Sequence, residues 1–345
     1  MASIYTDLLG WAVIATFLAG AAVEYVRRRP ADGGALARLR RRLDGLAVAP
    51  DRALSTAGWG LFALFWLVLF PHFAFTQKSY VEGVLSLVAV PACLYAGWLL
   101  WTGRDSLRVL SRAVAVMGLV YLPFEMGLRA TGSVEAIEPL SRALILTVTE
   151  QTGWAMSLFG YTPERTTGPI LGYQNAYQFT TPEGHTLLFE VVLACTGLGS
   201  MAIFAGLIAA VRAPLGRKLR ALAVSIPIIW LLNIVRTTFI GIAFGTQRLQ
   251  VFVDEVLLLF GSSDPYMVSF FLSDRVISQV LAVVALVGVT YLVVRELPEL
   301  VTVIEDVLYM ITNEEYDLLE SLDLPRDPVE TDGGVSGGRD GTDRL

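Results

Sequence analysis

The chain is poor in the residues from which most soluble active sites are built. Its 345 residues include two cysteines, Cys93 and Cys195, and two histidines, His72 and His185. Two cysteines are too few for a disulfide framework. Two histidines, with no CxxC or HExxH motif, exclude a histidine-rich metal site, so neither a metal nor a cofactor is expected. Lysine is nearly absent: only Lys78 and Lys218 occur, and the rest of the positive charge is arginine. The net charge of −6 gives no reason to expect a nucleic-acid partner. No internal repeat is visible.

What the chain has instead is apolar length. Hydrophobic residues make up 54% of it, and about 20 consecutive apolar residues suffice to cross a bilayer. Seven segments qualify, at about 4–26, 53–75, 81–102, 113–131, 189–212, 221–243 and 272–294. The first is followed by Arg27-Arg28-Arg29 without a small-residue cleavage site, so it reads as a retained helix, not a signal peptide. The expected fold class is therefore an all-α polytopic membrane protein of about seven transmembrane helices.

Charge sets the expected orientation. The loops at 27–52, 103–112 and 212–220 carry fifteen positive residues, and the opposite loops five (Lys78, Arg129, Arg142, Arg165 and Arg248). The three basic loops are separated by even numbers of spans. They can all be cytoplasmic, which puts the N-terminus outside and the C-terminus inside. Segment 140–160 is apolar but holds Arg142, Glu150 and Gln151; it reads as an amphipathic helix at the outer interface, as does 249–261. Between 161 and 188, the alternation of Tyr177 to Thr180, the turn Pro182-Glu183-Gly184 and the extended run from His185 predict a short β-hairpin. An amphipathic helix is expected after Arg295, over 296–324, and a disordered acidic tail over 325–345. Fourteen acidic residues lie between Glu296 and Asp343, a bias that suits a protein kept soluble in high salt.

Charges inside spans are costly and by default mark function. Glu24, Glu125, Glu190, Arg236 and Arg275 are the candidates. Cys195 in the fifth span, Arg236 in the sixth and Arg275 in the seventh should share one layer just below the outer surface. Two guanidiniums beside a thiol favour the thiolate, which is the nucleophile, and one can hold an oxyanion. Arginine is no general base, and His185 is the nearest titratable group that can be one. Against this stand plain readings: a buried apolar cysteine, and arginines paired with Glu190, Asp254 or Asp274 or snorkelling to the interface. A transporter, an intramembrane serine protease at Ser200 and a non-catalytic scaffold remain alternatives.

Ala194-Cys195-Thr196-Gly197-Leu198-Gly199-Ser200, Asn233-Ile234-Val235-Arg236-Thr237 and Asp274-Arg275 resemble the exosortase/archaeosortase family over about residues 53–295. Arginine at the third position, where many exosortases have histidine, looks more like the archaeosortase A branch. The resemblance implies a sorting enzyme for surface-protein precursors that end in a Pro-Gly-Phe-type motif, a hydrophobic helix and a basic end. The helix is removed and the new C-terminus joined to a membrane phospholipid. It also implies roles for Cys195 as nucleophile, for Arg236 and Arg275 in activating the thiol or holding the oxyanion, and for Asn233 in orienting Arg236. The resulting thioester would be resolved by a lipid-headgroup amine.

Overall fold

The structure, a computed structural model, describes residues 4–28, 38, 49–76, 80–129 and 138–318; the expected acidic tail lies outside them. In chain order the elements begin with α1 (Ile4–Arg28), α2 (Pro50–Thr76), α3 (Tyr80–Thr102), α4 (Leu107–Arg129) and α5 (Glu138–Leu158). Three strands follow: β1 (Glu164–Thr166), β2 (Ala176–Thr180) and β3 (Thr186–Glu190). The chain continues with α6 (Leu198–Ala210), α7 (Leu215–Gly245), α8 (Val253–Phe260), α9 (Pro265–Glu296) and α10 (Val301–Thr312). Six of these, α1 to α4, α7 and α9, are long and apolar enough to cross a membrane. The chain is a multi-pass helical membrane protein with one small sheet.

Helices α1 to α4 pack around Phe17, Trp59, Ala96, Leu100 and Leu107. A second core joins α6, α7, α9 and α10 around Phe204, Ile208, Ile229, Val293 and Leu297. Outward faces stay apolar: Val280, Val283 and Val287 of α9 are all more than 60% exposed. Such a surface is stable only against lipid.

The fifth predicted span departs from expectation. Residues 189–212 do not form one helix. Strand β3 runs to Glu190, a 3-10 turn covers Leu193–Thr196, and only Leu198–Ala210 is α-helical. The break is Gly197, at φ +73°, a left-handed conformation that ends the turn and begins α6. Thirteen residues give about 20 Å of helix, short of a full crossing.

The three basic loops meet at one end of the bundle. Asp51 pairs with both Arg27 and Arg108. Glu24, 5% exposed, faces Arg28 at 2.8 Å, Arg212 at 3.3 Å and Arg112 at 3.7 Å. Arg217 reaches Glu299 at 2.7 Å. Removing either buried carboxylate would leave guanidiniums facing one another, so the basic loops and their acidic partners form one unit. Helix α10 docks on the same end, where Arg104 bonds Asp306 at 2.7 Å and Glu315 at 2.8 Å. That bond holds the Glu315 carboxyl below the usual carboxylate range.

At the opposite end lies the sheet, of order β1-β2-β3 and antiparallel throughout. The expected hairpin is β2–β3, with Tyr177 opposite Phe189 and the turn closed by Gly184 N–H to Thr181 O at 2.9 Å. The strand β1 had no sequence signal. The sheet lies on the last turns of α7, where Gly241 leaves room for Phe189: a Cβ there would stand 3.0 Å from the ring. Helix α5 buries a stripe of Ser141, Ile145, Val148, Thr152 and Ala155, at the three- and four-residue spacing of one helix face. Tyr177 Oη donates to Thr149 O across this contact.

Candidate active site

Two of the sequence motifs touch. Cys195 sits in the 3-10 turn between β3 and α6, where its N–H donates to Val192 O at 2.8 Å. Its own carbonyl accepts two bonds from α7: one from Asn233 Nδ2, and one from Thr237 Oγ1 at 3.2 Å. Thr237 also donates to Asn233 O at 2.9 Å, one turn back. Gly197 lies against the same asparagine; a Cβ at this position would stand 3.0 Å from Asn233 Cβ. Thr196 closes the turn, Oγ1 to Leu193 O at 2.7 Å. The residues around the cysteine are thus those a tight turn needs: a hydroxyl that caps it, a glycine that reverses the backbone, and an amide from the next helix that pins it. Asn233 holds the cysteine's backbone, whereas the sequence suggested that it orients Arg236. Thr237 ends the second sequence motif, four residues after Asn233, and the sequence assigned it no role.

Gly197→Ala is therefore expected to be costly on two counts. The left-handed backbone is strained for alanine, by about 1 kcal/mol or more, and the new methyl meets Asn233. Lower thermal stability in detergent and slower precursor maturation are the expected outcomes, with membrane insertion unchanged. An unaltered melting temperature would show that the turn tolerates a side chain.

Arg236 lies one turn beyond Asn233 on α7 and donates from Nη2 to Asp274 Oδ1 at 2.6 Å. Burial pushes the Cys195 thiol up from its ordinary value; the Val192 hydrogen bond and Arg236 pull it down, and Asp274 and Glu190 push it up. Arg275 stands against aromatic rings. Its guanidinium carbon lies 5.5 Å from the ring centre of Phe271 and 5.8 Å from that of Phe260, so it faces α8. Asp274 and Arg275 are adjacent in the π-helical turn Phe271–Ile277 of α9, and Asp274 is the one bonded to Arg236 of α7. Glu190 accepts from the backbone N–H groups of Ile170 and Leu171, each at 3.0 Å, and orders the loop before β2.

His185 is not brought to the thiol. It sits exposed at the hairpin tip, stacked on Tyr266 with ring centres 4.2 Å apart. Strand β3, roughly 17 Å of extended chain, separates it from Glu190, and the cysteine lies beyond. Cys93 is buried in the other core, among α1 to α4, and both cysteines are free.

The site lies toward the ends of α7 and α9 away from the ion-paired basic loops. Arg236 is about 32 Å along α7 from Leu215, and Arg275 about 32 Å along α9 from Glu296, close to the hydrocarbon thickness. Beside it runs a cavity of about 720 Å³, walled by α6, α7 and α9 and including Ala194, Gly197, Asn233 and Arg236. A half-buried thiol, a guanidinium held by a carboxylate and a neighbouring apolar cavity are suited to nucleophilic attack on a polypeptide presented from the membrane.

Comparison with known proteins agrees with the motifs. Residues 30–273 match the family model for transmembrane exosortases. The chain is 57% identical over 325 residues to Archaeosortase A of Haloferax volcanii, covering 94% of this chain and all of that protein. It is 43% identical over 311 residues to Archaeosortase A of Natronomonas pharaonis, covering 89% of each. No solved structure matches.

Proposed function

The chain belongs to the transmembrane exosortase family, and from that premise we propose that it is a membrane-embedded cysteine transpeptidase. Its substrates are surface-protein precursors with a Pro-Gly-Phe-type motif ahead of a C-terminal hydrophobic helix. The thiolate of Cys195 attacks the scissile carbonyl carbon, the C–N bond breaks, and the leaving amine takes up a proton. The helix departs and the precursor remains as a thioester on Cys195. The amine of a phospholipid headgroup then attacks the thioester carbon, forms an amide and returns the thiol. In this reading Arg236 stabilises the developing oxyanion.

The observation that carries this reading is the docking of the Cys195 turn on Asn233 and Thr237, one helical turn from the Arg236–Asp274 pair. A structural cysteine needs neither a fixed carbonyl nor a charged neighbour. The test is the mass of a surface protein's mature C-terminus. A truncated chain carrying a lipid is expected; a full-length chain in cells with the intact enzyme refutes the proposal.

The site belongs at the outer membrane face, because the ion-paired basic loops gather at the opposite end and positive loops stay cytoplasmic. Glu183→Cys, at the hairpin tip, should label with an impermeant thiol reagent in intact cells when Cys93 and Cys195 are both replaced. Gly216→Cys should not. The reverse pattern would invert the topology and put the site inside.

A further inference from the structure

The cavity beside Cys195 has a polar end and an apolar length. At the polar end Arg236 Nε and Ser278 Oγ are both buried and, among the described residues, neither has a hydrogen-bond partner. Ser278 is 2% exposed and lines the cavity. Its lining includes small residues from both helices, Gly199 and Ser200 of α6 and Ala282 and Ala285 of α9, among larger apolar ones. Ser278, Ala282 and Ala285 fall at i, i+4 and i+7, on one helix face. From Ser278 to Val289 the cavity follows α9 for about 16 Å. Its flank is open, because the lining residues Leu281, Val284 and Val235 are 58%, 65% and 58% exposed.

We propose that this cavity is the berth of the substrate's hydrophobic helix, which enters sideways from the lipid between α6 and α9. The inference rests on the transpeptidase reading and names where its substrate binds. Small residues let helix backbones approach closely, the usual basis of helix association in a bilayer. A lipid chain needs no such residues and offers nothing to the two unpaired polar groups. A polypeptide does: carbonyls of the extended segment just ahead of its helix can accept from Arg236 Nε–H and Ser278 Oγ–H. That segment then lies beside Ala194 and Gly197, the neighbours of the nucleophile that line the cavity.

The test places a photo-crosslinking amino acid at Leu281 in a Cys195→Ser background, where precursor is not consumed. A precursor adduct is expected there. None is expected from Val287, about 120° round the same helix, which is exposed but outside the cavity. Adducts with lipid alone, or equal precursor yields at both positions, overturn the proposal. Independently, Ala285→Trp fills the cavity and should slow maturation at least tenfold, while Val287→Trp should match the unmodified enzyme. Normal maturation by Ala285→Trp with none by Cys195→Ser would discard the berth and leave the cysteine chemistry standing. Normal maturation by both would remove the transpeptidase reading itself.

Discussion

Cells whose enzyme carries Cys195→Ser should accumulate surface-protein precursors at full length, with maturation reduced at least ~10³-fold. The size of the effect follows from what the substitution leaves alone. The bonds that fix this residue run through its backbone: its carbonyl accepts from Asn233 and Thr237, and its N–H donates to Val192. Serine keeps all of them, and its side chain is nearly the same shape. What it loses is the thiolate, since a hydroxyl with no base to take its proton is a far weaker nucleophile. The histidine that could take it is not at hand: His185 is at the hairpin tip, against Tyr266. Cys93→Ala, by contrast, removes a buried sulfur from the α1–α4 core. It should cost at most a few kcal/mol of stability and leave processing intact. The measurement is the ratio of precursor to mature protein on a gel, with the melting temperature of each purified variant as a control for folding. Full processing by Cys195→Ser would end the cysteine mechanism, because no structural loss can be offered in its place.

The long helices were legible in the sequence; the direction of each side chain round them was not. Hydropathy located the long helices because lipid imposes a length of about 20 apolar residues. The loops rich in arginine were placed together, and Glu24 and Asp51 supply the ion pairs that gather them. The hairpin was readable from its alternation and its Pro-Glu-Gly turn. The fifth span was misread because Leu187 to Leu193 is an unbroken apolar run, apart from Glu190, and such a run suits a buried strand as well as a helix. The arginine layer shows the same limit. Asp274 pairs with Arg236, while the adjacent Arg275 lies against Phe260 and Phe271. Composition had offered the Arg236–Asp274 pair as the plain alternative to a catalytic arginine. In the structure it lies one helical turn from Asn233, which bonds the carbonyl of Cys195.

That difference in direction separates the two arginines in function. Arg236→Lys should lose ~10²-fold or more in maturation rate, the scale seen when one oxyanion donor is removed, whereas Arg275→Lys should stay within about tenfold of the unmodified enzyme. Arg236 uses Nη2 to hold Asp274 and keeps Nε–H as a second, unspent donor beside the cavity. A planar fork can serve both directions at once. An ammonium on a flexible stem can keep the ion pair but has no rigid second donor to offer. Arg275 lies over two aromatic rings, where the attraction is of charge to a ring face and lysine retains part of it. The Asp274 partner supplies the internal check. If Arg236 acts only as a charge, Asp274→Asn should leave a freer guanidinium and should not harm processing. If the carboxylate aims the fork, Asp274→Asn should slow maturation, and combining it with Arg236→Lys should add little, because both changes break one arrangement. Rates for the two single variants and the double variant, taken from pulse-chase of one surface protein, decide between these. Equal losses from lysine at positions 236 and 275 would show that a shared layer of charge, not the Arg236–Asp274 geometry, sets the rate.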